Sequence, residues 1–141
     1  REVTENVISD MVSGPKNGAI LVVDDSNLVA NFIKKIFDDK YEVFIASDGA
    51  RAIDMVTGPN ADKIKACLLD LNMPNVNGFE VLEYFKKNNL FIKIPVSVIT
   101  GNDTRDQVDE AYNYPIVDLL SKPFNERDIK RIIEKTISSY N

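Results

Sequence analysis

Five side chains that can take part in chemistry stand where apolar runs of the chain end. They are the carboxylates, hydroxyl and amine of Asp24, Asp25, Asp70, Thr100 and Lys122. Each has an ordinary structural explanation on its own, as a helix cap, a turn residue or a solvated surface lysine. Placement of the whole set at the ends of apolar runs is much harder to obtain by chance. If the runs are neighbouring parallel strands, the side chains share one shallow pocket.

Three carboxylates at one sheet edge repel one another and raise each other's pKa unless a cation lies between them. Oxygen ligands without His or Cys favour a hard divalent ion, Mg²⁺ or Mn²⁺. A carboxylate beside such an ion, a lysine and a hydroxyl suits phosphoryl transfer, because the cations neutralise the phosphoryl oxygens while the carboxylate attacks in line. Asp70 is the best candidate nucleophile because it ends the central run, between the acidic pair and the Thr100–Lys122 side.

Five apolar runs alternate with five helical patterns along the chain. The runs predicted as strands are residues 20–23, 41–46, 66–69, 96–99 and 117–120. Continuously apolar strands are typical of a parallel sheet buried on both faces, so the pattern predicts a doubly wound α/β fold. Ligands of such a sheet bind beyond the carboxyl ends of its strands, where the chemically capable side chains stand.

The helical patterns carry their own start and stop signals. The first helix presents one buried face at i, i+3, i+4 spacing, formed by Val29, Phe32, Ile33, Ile36 and Phe37. The residues predicted to cap the other helices are Ser47 or Asp48, Asn77, Asp103 or Thr104, and Asn125. The helix that begins at Asp103 or Thr104 is more polar than the rest. The last turns Ile129, Ile132, Ile133 and Ile137 inward.

Residues 1–18 differ from the remainder, which forms one domain over residues 19–141. Apolar residues of the first segment have helical spacing, but Ser13-Gly14-Pro15 and Asn17-Gly18 break any helix before the first strand. Two interpretations stay open: an unstructured leader, and a linker helix from an upstream domain.

Composition excludes several classes of function. The chain has 141 residues and no histidine, which removes Ser-His-Asp and Cys-His catalysis and histidine-containing zinc sites. Its net charge is −5 and no basic run occurs, so direct binding to nucleic acid or to an anionic membrane is not expected. No apolar run approaches the length of a membrane span. The lone Cys67 cannot form an internal disulfide, which favours the cytoplasm.

From about residue 18 to residue 138 the chain resembles the receiver domain of two-component response regulators. The segments that carry the resemblance are Ile20-Leu21-Val22-Val23-Asp24-Asp25-Ser26, Leu68-Leu69-Asp70-Leu71-Asn72-Met73-Pro74 with Asn77-Gly78-Phe79-Glu80, Val98-Ile99-Thr100-Gly101, and Leu120-Ser121-Lys122-Pro123-Phe124. The separations from Asp70 to Thr100 and from Thr100 to Lys122 also suit this family. The resemblance implies a flavodoxin-like five-stranded parallel sheet of order 2-1-3-4-5 with helices on both faces.

The resemblance also implies what the site does. Asp70 would be the phosphoacceptor, Lys122 would pair with the acyl phosphate, and the Thr100 hydroxyl would reorient toward it on activation. Pro123 would follow a cis peptide. The domain would be a signalling phosphoacceptor rather than an enzyme, since it would catalyse only its own phosphorylation and slow autodephosphorylation.

Metal and partners follow from the same resemblance. Asp25 and Asp70 would bind Mg²⁺ directly, with Mn²⁺ as an alternative ion, the Asn72 main-chain carbonyl would be a third ligand, and Asp24 would act through water. The phosphoryl donor would be a histidine kinase or a histidine phosphotransfer protein. Output would pass to an effector domain in the same or another chain, and a homodimer is compatible with the sequence.

Two departures from the family pattern concern how the signal leaves the site. The position three residues before the lysine usually holds Tyr or Phe, whose rotation follows the threonine, whereas this chain has Leu119. Pro115-Ile116 stands where a Gly-Ala pair commonly precedes the last strand. Tyr112 and Tyr114 lie nearby, either as substitutes for the missing ring or as ordinary packing aromatics.

Three alternatives to the receiver domain fit the sequence less well. A haloacid-dehalogenase-type phosphatase needs a second Asp two residues after a nucleophile on the first strand, whereas Asn72 follows Asp70 on the third. A receiver-like interaction module that is never phosphorylated is disfavoured by the intact set of site residues. A flavodoxin-like flavin site would need a phosphate-cradling loop after the first strand, and the sequence has none there.

Overall fold

Strands and helices alternate along the chain in the computed structural model, which describes residues 16–73 and 76–140. The strands in this part are β1 (Ala19–Val23), β2 (Glu42–Ala46), β3 (Ile64–Asp70), β4 (Val96–Thr100) and β5 (Leu119–Ser121). The α-helices are α1 (Asn27–Phe37), α2 (Gly49–Thr57), α3 (Gly78–Lys87), α4 (Arg105–Ala111) and α5 (Glu126–Ser138). The predicted leader falls largely on residues 1–15, which lie outside the described residues.

The strands form one parallel sheet in the order β2-β1-β3-β4-β5, which confirms the predicted doubly wound, flavodoxin-like fold. The register of the pairs brings the strand ends together. Val23 of β1 pairs with Leu69 of β3, and the next residue of β3, Asp70, pairs with Ile99 of β4. Thr100 in turn pairs with Ser121 of β5. The residues that complete or follow these strands therefore meet at one edge of the sheet.

Both faces of the sheet are covered by helices. Ile20 and Val22 point to the face that packs against α1 and α5, whereas Leu21 and Val23 point to the face that packs against α2, α3 and α4. This alternation explains why β1, whose residues are all buried, is apolar without interruption and why the buried parts of β3 and β4 are mainly apolar. An exception is Ser97 of β4, which is buried and satisfied by a 2.6 Å hydrogen bond to the Thr136 hydroxyl of α5.

Three predicted helix starts are confirmed by capping hydrogen bonds. Asp48 Oδ1 accepts the Arg51 N–H at 2.9 Å at the start of α2. Asn77 and Asn125 each form a capping box, with Glu80 and Asp128 as the reciprocal partners. These caps fix where α3 and α5 begin, and α3 begins close to the carboxyl end of β3.

Helix α4 starts differently from the prediction that Asp103 or Thr104 caps it. Thr104 is the residue that precedes the helix, but its side chain forms no capping hydrogen bond with the described residues. Asp103 instead accepts a hydrogen bond from the Ser121 hydroxyl at 3.3 Å. Its carboxylate is thus bonded to β5, and no hydrogen bond joins it to the first N–H groups of α4 in the part of the chain that the structure describes.

The buried face of α1 is narrower than predicted. Ala30, Ile33 and Phe37 form its buried stripe, whereas Phe32 is 38% exposed and its expected burial is wrong. Residues 30, 33 and 37 follow the 3.6-residue period of a single stripe, and Phe32 lies about 100° to the side of Ile33. Its ring instead borders a surface hollow that also contacts Phe124.

The last strand is shorter than the predicted range of residues 117–120: β5 spans Leu119–Ser121 and is half-buried throughout. Val117 nevertheless donates its N–H to Val96 O at 2.7 Å, and Asp118 O accepts the Val98 N–H at 3.0 Å. The chain thus runs beside β4 before the regular ladder begins. An edge strand has one neighbour, so it tolerates this irregular start.

Candidate functional site

Asp24 and Asp25 follow β1 at the carboxyl edge of the sheet. The Asp24 side chain is buried, and its Oδ1 accepts the Ser26 N–H at 2.8 Å. Asp25 is exposed. The cap of α1 is Ser26, whose hydroxyl accepts the Val29 N–H at 3.3 Å, so helix capping does not explain Asp25. The acidic pair therefore offers one buried and one accessible carboxylate to the same edge.

Asp70 ends the central strand, and its side chain is almost completely buried. Its Oδ1 accepts the Asn72 N–H at 2.9 Å, and its Oδ2 lies 3.4 Å from Lys122 Nζ. Burial and, to a smaller extent, the charge of Asp24 raise the pKa of Asp70 from 3.8 to about 6, although the Asn72 hydrogen bond and Lys122 act to lower it. The carboxylate is consequently ionised at neutral pH but unfavourably so in the absence of a further cation.

Lys122 joins the two buried carboxylates. Its Nζ lies 3.1 Å from Asp24 Oδ2 and 3.4 Å from Asp70 Oδ2. Burial of the ammonium opposes its charge, but the carboxylates of Asp70 and Asp24 outweigh that effect and raise the pKa of Lys122. The peptide bond from Lys122 to Pro123 is cis, as the family resemblance implied. Lys122 is thus a fixed positive charge directly beside Asp70.

The Thr100 side chain is buried and forms a network that the sequence did not reveal. Its hydroxyl lies 2.8 Å from Asn72 Oδ1 and accepts the Asn102 N–H at 2.9 Å. Gln107, from the first half of α4, donates from Nε2 to the Thr100 hydroxyl at 2.7 Å. No motif singled out Gln107, because its contact with Thr100 depends on how α4 is placed.

The acidic residues fit a hard divalent cation. Oxygen atoms of Asp24, Asp25 and Asp70 lie within 4.8 Å of one another. Asp24 Oδ2 is buried and, among the residues that the structure describes, receives no hydrogen bond, with Lys122 as its ionic partner. Three negative charges thus face the positive charge of Lys122, which leaves an excess that a cation with oxygen ligands would neutralise. The arrangement could hold a divalent metal ion.

Cys67 is not a second nucleophile at this site. It lies within β3 and is buried, and burial raises the pKa of its thiol to about 12. The thiol therefore stays protonated at neutral pH and behaves as a small apolar core residue.

Leu119 and the two nearby tyrosines occupy separate environments. Leu119 is half-buried and packs against the core layer that contains α2, α3 and α4. Tyr114 donates its hydroxyl proton to Glu83 Oε1 at 2.8 Å, and the Tyr112 hydroxyl lies 3.5 Å from Asp118 Oδ1. Both tyrosines are thus hydrogen-bonded to acidic residues other than those of the site.

Residues 20–134 match the family model described as the response regulator receiver domain. The chain belongs to this family. It is therefore a phosphoacceptor domain of two-component signal transduction. This assignment agrees with the parallel sheet, with the acidic cluster and with the position of Asp70 on β3 rather than on β1. It decides against the phosphatase and flavin-binding alternatives.

Individual relatives support the same conclusion. The chemotaxis protein CheY of Pseudomonas aeruginosa is 30% identical over 124 residues, which cover 86% of this chain and 98% of CheY. The probable transcriptional regulator ycf29 of Pyropia yezoensis is 31% identical over 121 residues, which cover 84% of this chain and 53% of ycf29. The receiver domain described here thus spans about half the length of that relative.

A solved structure of the family contains a divalent metal. The Mn²⁺-bound form of the response regulator Rcp1, a protein of Synechocystis, is 28% identical to this receiver domain. The two align with a TM-score of 0.69, covering 87% of this chain and 93% of Rcp1.

Within the described residues of the present domain, each helix is too short or too polar to cross a membrane.

Proposed function

We propose that Asp70 accepts a phosphoryl group from a phosphohistidine of a histidine kinase or a histidine phosphotransfer protein. The observation that carries the proposal is the buried Asp70 carboxylate, with Lys122 Nζ 3.4 Å from its Oδ2 and with two further carboxylates beside it. A pKa of about 6 leaves Asp70 mainly ionised, and therefore nucleophilic, at neutral pH. The resulting change is relayed to an effector domain in the same or another chain.

The transfer step uses the residues as follows. A carboxylate oxygen of Asp70 attacks phosphorus, so that an O–P bond forms while the N–P bond to the donor imidazole breaks. The electron pair of the broken bond stays on the imidazole nitrogen. Lys122, held by its ion pair with Asp24 at 3.1 Å, neutralises charge on the transferring group. The Thr100 hydroxyl, at the neighbouring strand end, is a donor for the new phosphoryl oxygens.

We propose Mg²⁺ as the metal, with Mn²⁺ as the alternative. Asp25, Asp70 and the main-chain carbonyl of Asn72 would hold it directly, and Asp24 would act through water. The ion would supply neutralisation of the phosphoryl oxygens. The accessible position of Asp25 supports a direct role, whereas Asp24 already accepts the Ser26 N–H and pairs with Lys122.

A protein donor would dock beside Lys122. An apolar surface hollow of about 400 Å³ is lined by Leu28, Val29, Phe32, Lys122, Pro123 and Phe124. Leu28 is 84% exposed there, although an apolar side chain gains by burial. Because Asp70 is itself buried, a phosphohistidine can reach it only across the rim of the site, and this hollow forms part of that rim. The hollow therefore suits the phosphohistidine-bearing protein.

Labelling with acetyl phosphate tests the phosphoacceptor. Intact mass should increase by one phosphate in the presence of Mg²⁺, and neither Asp70→Asn nor wild type in excess chelator should gain it. The matched control is Asp54→Asn, an exposed carboxylate of α2, which should be labelled like wild type. Full labelling of Asp70→Asn would refute the assignment of the phosphoacceptor. Absence of labelling in wild type with Mg²⁺ would favour the unphosphorylated interaction module.

Docking is tested by comparing two donors on one pair of proteins. Leu28→Ser should be labelled by acetyl phosphate at the wild-type rate, because the small donor does not use the hollow. A phosphohistidine phosphotransfer protein that labels wild type should label this variant at least several-fold more slowly. Equal rates with the protein donor would contradict the docking surface and leave Asp70 as phosphoacceptor.

Location in the cytoplasm and the absence of direct nucleic-acid binding remain predictions of the sequence.

A further inference from the structure

Helix α4 buries fewer residues than any other described α-helix. It has seven residues, and Ala111 is its buried residue. Its preceding residue, Thr104, makes no side-chain cap with the described residues. Gln107 of α4 is half-buried, and its amide reaches the carboxyl edge of the sheet. A short helix with few apolar contacts depends more strongly on such individual polar contacts.

Gln107 contacts two side chains of the site at once. Its Nε2 donates to the Thr100 hydroxyl at 2.7 Å and lies 3.3 Å from Asn72 Oδ1. Its Oε1 lies 3.4 Å from Asn72 Nδ2. Asn72 is two residues after Asp70, and its N–H is bonded to the Asp70 carboxylate at 2.9 Å. A chain of hydrogen bonds thus leads from Asp70 through Asn72 and Thr100 into α4.

The hydrogen-bonding capacity of the Thr100 hydroxyl is fully used in this network. It accepts the Asn102 N–H at 2.9 Å and the Gln107 amide at 2.7 Å. Its one proton is shared between Asn72 Oδ1 and Asn102 O, each 2.8 Å away. A phosphoryl oxygen on Asp70 is an acceptor, so Thr100 can donate to it only by withdrawing that proton from its present acceptors. Rotation of Thr100 about its Cα–Cβ bond moves the hydroxyl oxygen and so disturbs its 2.7 Å contact with Gln107.

We infer that Gln107 is a positioning residue that holds Thr100 in its unphosphorylated arrangement and couples the departure of Thr100 to a movement of α4. The inference rests on the proposed function of Asp70 and Thr100. It gives the domain an output path that needs no aromatic ring at the position of Leu119. The moving part is α4, and the link is the pair of Gln107 contacts rather than side-chain packing in the core.

The inference predicts opposite effects of two substitutions on binding of beryllofluoride, an aspartyl-phosphate mimic. Gln107→Leu removes the donor that holds Thr100, so affinity at saturating Mg²⁺ should rise by about fivefold, as expected for one neutral hydrogen bond. Gln107→Glu offers a carboxylate that binds the Thr100 proton more strongly, so affinity should fall by about fivefold or more. A purely structural role would shift both variants in the same direction.

Amide NMR shifts on beryllofluoride addition supply the second measurement. In wild type, the amides of α4 should shift together with those next to Asp70 and Lys122. In Gln107→Leu, the amides next to Asp70 and Lys122 should still shift, while the shifts within α4 fall below half of the wild-type values. The matched control is Glu110→Leu, an equally apolar replacement at an exposed position of α4, which should behave like wild type in both measurements.

Each outcome decides between the alternatives. Wild-type α4 shifts in Gln107→Leu, or affinities of the Leu and Glu variants that change in the same direction, would overturn the role of Gln107. So would random-coil α4 amides in free Gln107→Leu with unchanged affinity, since Gln107 would then be an anchor alone. Wild-type protein that binds no beryllofluoride would overturn the proposed function and this inference together.

Discussion

Replacement of Asp70 by Asn should stabilise the metal-free domain at neutral pH. Burial and the charge of Asp24 raise the pKa of Asp70 to about 6, against an ordinary value of 3.8 that also applies to the unfolded chain. The folded state therefore binds the Asp70 proton more tightly than the unfolded state does. The contribution of Asp70 to the unfolding free energy is therefore greatest below about pH 4, falls as pH rises from about 4 to about 6, and stays lower above that window.

The size of the effect follows from the same difference. A pKa raised from 3.8 to about 6 corresponds to a loss of about 3 kcal/mol of unfolding free energy above pH 6. Asn has the shape of the protonated carboxyl and keeps an oxygen that can accept the Asn72 N–H. Lys122 retains its ion pair with Asp24 at 3.1 Å. We therefore expect Asp70→Asn to be more stable by about 3 kcal/mol at pH 7.5 in chelator, and about equal to wild type at pH 4.

Urea unfolding followed by circular dichroism, at pH 4, 5, 6 and 7.5 in chelator, measures this difference. Addition of Mg²⁺ at pH 7.5 should reduce this stability difference. A Mg²⁺ concentration of ten times the dissociation constant adds about 1.4 kcal/mol to the unfolding free energy of wild type. Asp54→Asn is the matched control and should stay within about 0.5 kcal/mol of wild type at every pH. The reasoning is refuted if Asp70→Asn is the less stable protein at pH 7.5 in chelator, or if its advantage grows as pH falls.

Three further predictions address the metal, the output path and the backbone around the site. Mg²⁺ affinity should fall more for Asp25→Ala than for Asp24→Ala in calorimetric titration, because a direct ligand loses a coordination bond; equal losses would contradict this ranking. Apart from the amides next to Asp70 and Lys122, beryllofluoride should shift amide resonances mainly in residues 100–116 and leave the Leu119 rotamer unchanged, whereas a large rotamer change with an unshifted 100–116 segment would indicate that Leu119 itself transmits the signal. Gly78→Ala should cost about 1–3 kcal/mol or more in urea unfolding, because a Cβ there would lie 2.5 Å from Asp70 O; an unchanged stability would show that the backbone moves aside.

The sequence by itself determined the fold class and the edge of the sheet at which Asp70, Thr100 and Lys122 lie. Continuously apolar runs are local features, and in a parallel sheet such runs are buried on both faces. Polar residues directly after them, such as Asp70, Thr100 and Lys122, must then lie at the carboxyl edge, whatever the details of packing. Helix starts at Asn77 and Asn125 were predictable for the same reason, since a cap bonds to residues only two or three positions away.

Only the tertiary structure decided the contacts between residues that are distant in the chain. The ion pair of Lys122 with Asp24 depends on strand register and side-chain rotamers. The burial of Ser97 depends on Thr136 in α5, and the exposure of Phe32 depends on how α1 lies on the sheet. The link from Gln107 to Thr100 likewise requires the placement of a short polar helix, which no local pattern specifies because helical periodicity fixes a face but not its neighbour.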